Sequence, residues 1–248
     1  MAVSSALSYT RYELLRTIRN RRFFVLSLGF PFVLFFLIAG PQRNVHNLGG
    51  SGIPAPTYYM VGMVAFGTMG AMLSCGARIA AERAVGWNRQ LRISPLTTRS
   101  YFRAKVITAY MMALLTMAVL FVSGASLGVS MPASDWLEMT VLILLCLVPF
   151  AALGIAIGHM LTPESIGPAL GGGVALLAFL GGTWFPIPSH GFLYDIGQLL
   201  PSYWLVQASH VALGGHPLRT TGWIVIVAWT VVLAAVARRA YRRDTGRV

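Results

Sequence analysis

Gly124-Ala-Ser-Leu-Gly128 fits the G-x-S-x-G pattern that carries the nucleophile of serine hydrolases. That chemistry needs a strand–turn–helix elbow to present the hydroxyl, and a histidine within hydrogen-bond reach to take its proton. Here Ser126 falls near the outer end of an uncharged stretch read as a helical span, and His159 near the inner end of the next one. Across a core of about 30 Å the two are expected to stand more than about 20 Å apart. Close helix packing through Gly124 and Gly128 is the better reading, and Gly154/Gly158 and Gly167/Gly171 repeat the same spacing. An intramembrane serine protease using Ser126 stays as the alternative from another class. His190, His210 and His216 share one segment, without the convergence that a metal site needs. Cys75 and Cys146 lack ligand spacing and are expected to be buried thiols that act as small apolar side chains. No G-x-x-x-x-G-K-[ST] loop is present, so ATP is not bound in that way by this chain and ATP-driven work needs another chain.

The stretch Glu82–Lys105 carries the most specific signal. It runs Glu82-Arg83-Ala84-Val85-Gly86-Trp87-Asn88-Arg89-Gln90-Leu91-Arg92-Ile93-Ser94-Pro95-Leu96, with Tyr101 and Lys105 further on. A short amphipathic helix fits Arg83–Arg92 and must stop before Pro95. Arg78, four residues before Glu82, can snorkel to headgroups or pair with it. The plain reading is a basic loop that sets topology; the sharper one is a docking element for a cytoplasmic partner.

The elements that must position these residues are membrane spans. Six stretches contain no Asp, Glu, Lys or Arg: Phe23–Gln42, Asn44–Ala77, Val106–Ser134, Met139–Pro163, Ser165–Tyr194 and Thr220–Ala237. They give spans at about 23–40, 57–81, 106–130, 138–161, 165–185 and 220–237 within one domain over 1–248. Charged residues make up 10% of the chain, against about 25% in soluble domains, so lipid is its solvent. With both termini inside, the cytoplasmic segments hold 17 of the 19 Lys and Arg, and basic loops resist translocation. Trp136, Trp184 and Trp223 then fall at the outer boundary. The charge of +12 borders the spans and forms no aromatic-interleaved patch, which excludes nucleic acid and favours anionic headgroups of the lipid bilayer. The residues around Leu7, Leu14, Leu15 and Ile18, flanked by Arg11, Arg16 and Arg19, read as an amphipathic helix in the inner interface. Pro31 is expected to kink the first span. Between Pro186 and Arg219 the chain is outside yet apolar, and Pro201 divides it into two short helices that dip back toward the membrane before span six.

In this order and spacing, the motifs resemble those of ABC type-2 exporter permeases, the bacterial drug-resistance and antibiotic-export type of transmembrane subunit. The likeness rests on the acidic–basic pair, Gly, Leu and Pro-Leu of the loop between spans two and three, and on the Lys that opens span three. It also rests on Leu180-Gly-Gly-Thr-Trp-Phe-Pro186 before Pro188, and on Leu200-Pro201-Ser-Tyr-Trp-Leu. Trp87 and Asn88 depart from the family, which often has a second charged residue there. The resemblance implies an all-α polytopic permease in the bacterial plasma membrane. It implies no catalysis and no cofactor in this chain, with ATP and Mg bound by a separate ABC ATP-binding subunit. A second permease copy completes the transporter as a homodimer, or a sister permease does so. ATPase coupling falls to Glu82, Arg83, Gly86, Trp87, Leu91, Arg92 and Pro95, and an outer gate to Pro186, Pro188, Pro201, Tyr203 and Trp204. The implied cargo is an amphipathic or hydrophobic drug, antibiotic or lipid-like molecule, since the spans lack charges to hold a polar solute. A glycan or lipid-linked polymer is the alternative.

Overall fold

The computed structural model describes residues 2–48, 52–87, 96–185, 187–188, 190–214 and 217–245. Ten helices and no strand occur among them: α1 Ala2–Arg19, α2 Arg21–Ala39, α3 Ala55–Ala84, α4 Thr98–Ser126, α5 Ala133–Cys146, α6 Val148–Met160, α7 Pro163–Gly181, α8 Phe192–Gln198, α9 Pro201–Val211 and α10 Thr220–Thr245. Five elements are long and apolar enough to cross a membrane: α3, α4, α5 with α6, α7 and α10. The apolar part of α2, Ser27–Ala39, is shorter.

The helix α3 is the axis of the bundle, with α2, α4, α6, α7 and α9 packed around it. Its small residues allow this. A Cβ on Gly76 would lie 2.4 Å from the carbonyl oxygen of Gly154, and one on Gly158 would lie 2.8 Å from that of Gly76. The α3–α6 contact is therefore backbone on backbone, as the Gly154/Gly158 spacing predicts. Gly124 packs on the Met60 side chain, whereas Gly128 adopts φ +87 in the turn after α4. Gly167 and Gly171 differ: a Cβ on either meets nothing within 4 Å, so their spacing serves no close contact among the described residues.

Two breaks matter for function. The chain interrupts its helix at Asn20, which separates α1 from the first apolar helix. The fourth span is not continuous either. Pro149 has no N–H and its ring clashes with the carbonyl one turn back, so α5 ends at Cys146 and α6 begins at Val148. Tyr110 of α4 donates its hydroxyl to the Leu144 carbonyl oxygen at 3.1 Å, which satisfies a polar group at the break.

Exposure on α1 is inverted relative to a water-soluble helix. Glu13 and Thr17 face the protein, while Leu7, Leu15 and Ile18 are exposed. Valines 227, 231, 232 and 236 of α10 are exposed in the same way. Such surfaces suit a hydrocarbon solvent.

Candidate functional site

At one end of the bundle α3 runs on to Ala84, past the expected end of its span, so Glu82 and Arg83 belong to the spanning helix. Val85 caps it and Gly86 terminates it at φ +70, a conformation that a Cβ disfavours. Trp87 follows, half-buried. Leu91, Arg92 and Pro95 lie outside the described residues, as does the rest of the expected amphipathic helix.

Glu82 is 2% exposed and sits in a network drawn from three helices. The Lys105 ammonium of α4, fully buried, donates to Glu82 Oε1 at 2.5 Å and to Glu13 Oε1 of α1 at 2.6 Å. Tyr101 donates its hydroxyl to Glu82 Oε2 at 2.8 Å, and its ring lies under the ammonium with the nitrogen 5.2 Å from the centroid. Arg16 reaches Glu82 from the rim at 3.1 Å. The expected partner of Glu82, Arg78, turns to α1: it lies 3.6 Å from the Glu13 carboxylate and donates to the Thr17 hydroxyl at 2.9 Å. Thr17 in turn donates to the Glu13 carbonyl oxygen. Charges so deeply buried persist only when paired and hydrogen-bonded. Burial, and then the charges of Glu82 and Glu13, push the Tyr9 hydroxyl up, so it stays neutral. Tyr9, Tyr12, Val85 and Trp87 wall a cavity of about 480 Å³ beside this network.

Arg83 points the other way. Its guanidinium makes a two-pronged contact with Asp244 of α10, Nε to Oδ2 and Nη2 to Oδ1, both at 2.8 Å. Nη1 donates to the carbonyl oxygens of Gly158 at 3.0 Å and Leu161 at 3.1 Å, where α6 ends with unpaired acceptors. His159 Nδ1 meets Asp244 Oδ2 at 3.0 Å. Two adjacent side chains thus gather α1, α3, α4, α6 and α10 at one end of the molecule.

Sequence reasoning missed Glu13, Asp244 and the closing role of Tyr101. A signal existed: the chain has only seven carboxylates, and these two lie inside its most basic segments. An isolated acid among arginines in a lipid-solvated chain needs a partner.

At the far end, Pro201 opens α9, and Tyr203 and Trp204 are buried in its first turn. The Trp204 indole donates to the Gln198 carbonyl oxygen at 2.8 Å and covers Gly222 of α10, where a Cβ would come within 2.4 Å of the ring. Tyr203 meets Tyr194 and Trp204 edge-on. The helix α9 packs against α3, α5, α7 and α10. Pro201, Tyr203 and Trp204 are thereby brought together; Pro188 stands exposed, and Pro186 lies outside the described residues. Ser126 donates its hydroxyl to the Ser123 carbonyl oxygen at 2.6 Å, while His159 is engaged by Asp244.

A bundle of apolar helices around a small-residue axis, in which the buried charges Glu13, Glu82 and Lys105 are paired at one end, defines a multi-pass membrane protein. Residues 6–213 match the ABC-2 type transporter family, and the chain belongs to it. It is similar to the "Putative transport permease YvfS" of Bacillus subtilis (strain 168), with 26% identity over 239 residues, covering 94% of this chain and 95% of that protein. The chain is therefore a transmembrane permease of the ABC-2 type, a transport subunit rather than a catalytic one.

Proposed function

We propose that this permease is the membrane half of an exporter powered by a separate ATP-binding subunit, moving an amphipathic or hydrophobic molecule outward. The observation that carries the reading is the split of Glu82 and Arg83 into two networks, directly before the Gly86–Trp87 turn. A segment seated on an ATPase and attached at Gly86 pulls on α3, and α3 is tied by ion pairs to α1, α4, α6 and α10. Force applied at one loop is distributed to the spans without a soluble domain in between. The distribution of arginines supports the same end as the cytoplasmic one. In this reading α2 is the sixth span, both termini are inside the bacterial plasma membrane, and the chain is one domain that works as a homodimer.

Glu82 and Arg83 transmit within the permease, while Trp87, Leu91, Arg92 and Pro95 meet the ATPase. Pro186, Pro188 and the α9 residues Pro201, Tyr203 and Trp204 gate the outer exit. An ATPase needs only different contacts in two states of the permease to bias it. The apolar lining of the spans favours lipid-like cargo over a glycan. The engaged hydroxyl of Ser126 favours transport over proteolysis, and a Ser126→Ala variant that keeps full function removes the protease reading.

The experiment is co-purification from native membranes, with the bound chains identified and ATP turnover measured. Capture of a nucleotide-binding chain whose turnover rises in the complex, and loss of transport with retained ATP hydrolysis in Arg92→Glu, support the proposal. Capture of no such chain, or unchanged transport in Arg92→Glu, overturns it.

A further inference from the structure

A second cavity, of about 290 Å³, opens between the end of α6 and the last turns of α10. Arg239 and Arg243 stand on its α10 wall, four residues and so about one turn apart. Neither makes an ion pair or hydrogen bond among the described residues. Arg83, also on the wall, is already matched by Asp244, so the cavity carries two uncompensated cations. Met160 and Val236 add apolar surface on the span side of the arginines, and Ala240 lies between Arg239 and Arg243. His159 lines it too; with Nδ1 held by Asp244, its buried Nε2 has no hydrogen-bond partner among the described residues.

We propose that this cavity binds the phosphate of an anionic phospholipid. Arg239 and Arg243 hold the phosphate through charge-assisted hydrogen bonds. The acyl chains run along Met160 and Val236. The apolar wall beside the cations selects a lipid over a free anion, and basic pockets at the inner ends of spans are suited to such headgroups. A bound lipid would brace the Arg83–Asp244–His159 latch from its open side. The placement in the inner leaflet rests on the orientation proposed above; binding itself does not.

The test is native mass spectrometry of the full chain in mild detergent, titrated with phosphatidylglycerol, phosphatidylcholine and inorganic phosphate. The chain is expected to retain one phosphatidylglycerol, and Arg239→Gln/Arg243→Gln to weaken that binding about tenfold while leaving phosphatidylcholine unchanged. Arg238→Gln/Arg242→Gln removes the same charge from the same turns and is expected to shift it less than about threefold. Equal losses in both variants reduce the effect to net charge and overturn the site. Inorganic phosphate that displaces the lipid at equal concentration overturns a lipid ligand in favour of a free anion. No ATP-binding chain is present in this assay, so its failure leaves the transport proposal standing.

Discussion

Glu82 and Arg83 are consecutive residues of α3, yet one carboxylate is enclosed by Lys105, Tyr101 and Arg16 while the neighbouring guanidinium clasps Asp244 and the end of α6. A helix places adjacent side chains about 100° apart, so one turn can serve two sides of a bundle. Anything that rotates or draws down this turn acts on both sides together.

Lys105 is the common partner of two buried carboxylates. Lys105→Met leaves both without it and is expected to destabilise the fold by about 3–5 kcal/mol. The triple change Glu13→Gln/Glu82→Gln/Lys105→Met removes every charge of that trio and is expected to recover only part of the loss, because the mostly buried Arg78 then loses the Glu13 carboxylate. Thermal unfolding in detergent measures both. A single variant as stable as the parent would mean that the trio is not closed in the membrane.

Arg83 makes four close contacts through a planar fork, and lysine offers a point charge. Arg83→Lys is expected to free the last turns of α10, with a cost of about 1.5–3 kcal/mol in charged hydrogen bonds. Hydrogen exchange read across residues 236–244 should rise several-fold while the centre of α3 stays protected.

The α3–α6 contact leaves no room for a methyl group. Gly76→Ala and Gly158→Ala each place a Cβ under 3.0 Å from backbone atoms and are expected to cost about 1–3 kcal/mol or more. Gly171→Ala meets nothing within 4 Å in the interior of α7 and should raise the melting temperature of the isolated chain slightly, through about 0.5–1 kcal/mol of helix preference. Comparison of the three melting curves decides the point.

Tyr110→Phe removes the hydroxyl that answers the Leu144 carbonyl beside the Pro149 break. The expected cost is about 1 kcal/mol. Pro149→Ala restores an N–H that faces the Leu145 carbonyl instead, so the double variant should keep the loss; helix continuity across Leu147 can be followed by paired spin labels on α5 and α6.

Much of this was legible in the residue order. Uncharged runs bounded by arginine are the dominant signal for spans, because charge inside hydrocarbon is so costly; α3, α4, α7 and α10 each overlap one such run, although α4 starts at Thr98, before its run begins. The two short helices split at Pro201 and the backbone contact at Gly154/Gly158 also follow from local patterns. The interruption at Leu147 was missed, since Pro149 was passed over inside an apolar run. The pairing of Glu82 was misjudged for a different reason. A spacing of four residues suggests Arg78, but the choice among nearby cations is made by which helices meet, and Glu13 and Lys105 are 92 residues apart. Asp244 and Arg83 are separated by 161. No local pattern encodes such distances.

Those separations impose a timetable on the newborn chain. Glu13 leaves the ribosome long before Lys105 exists, by roughly 5–20 s at ordinary elongation rates, and must wait near the membrane surface in contact with water. The first knot can be tied only when the third apolar segment has started to emerge. The second waits for Asp244, made 161 residues after Arg83, so a nascent permease holds an open clasp at Arg83 until α10 has been synthesised. A chain that stops before the last turn of α10 would leave that guanidinium facing the end of α6 without its acid.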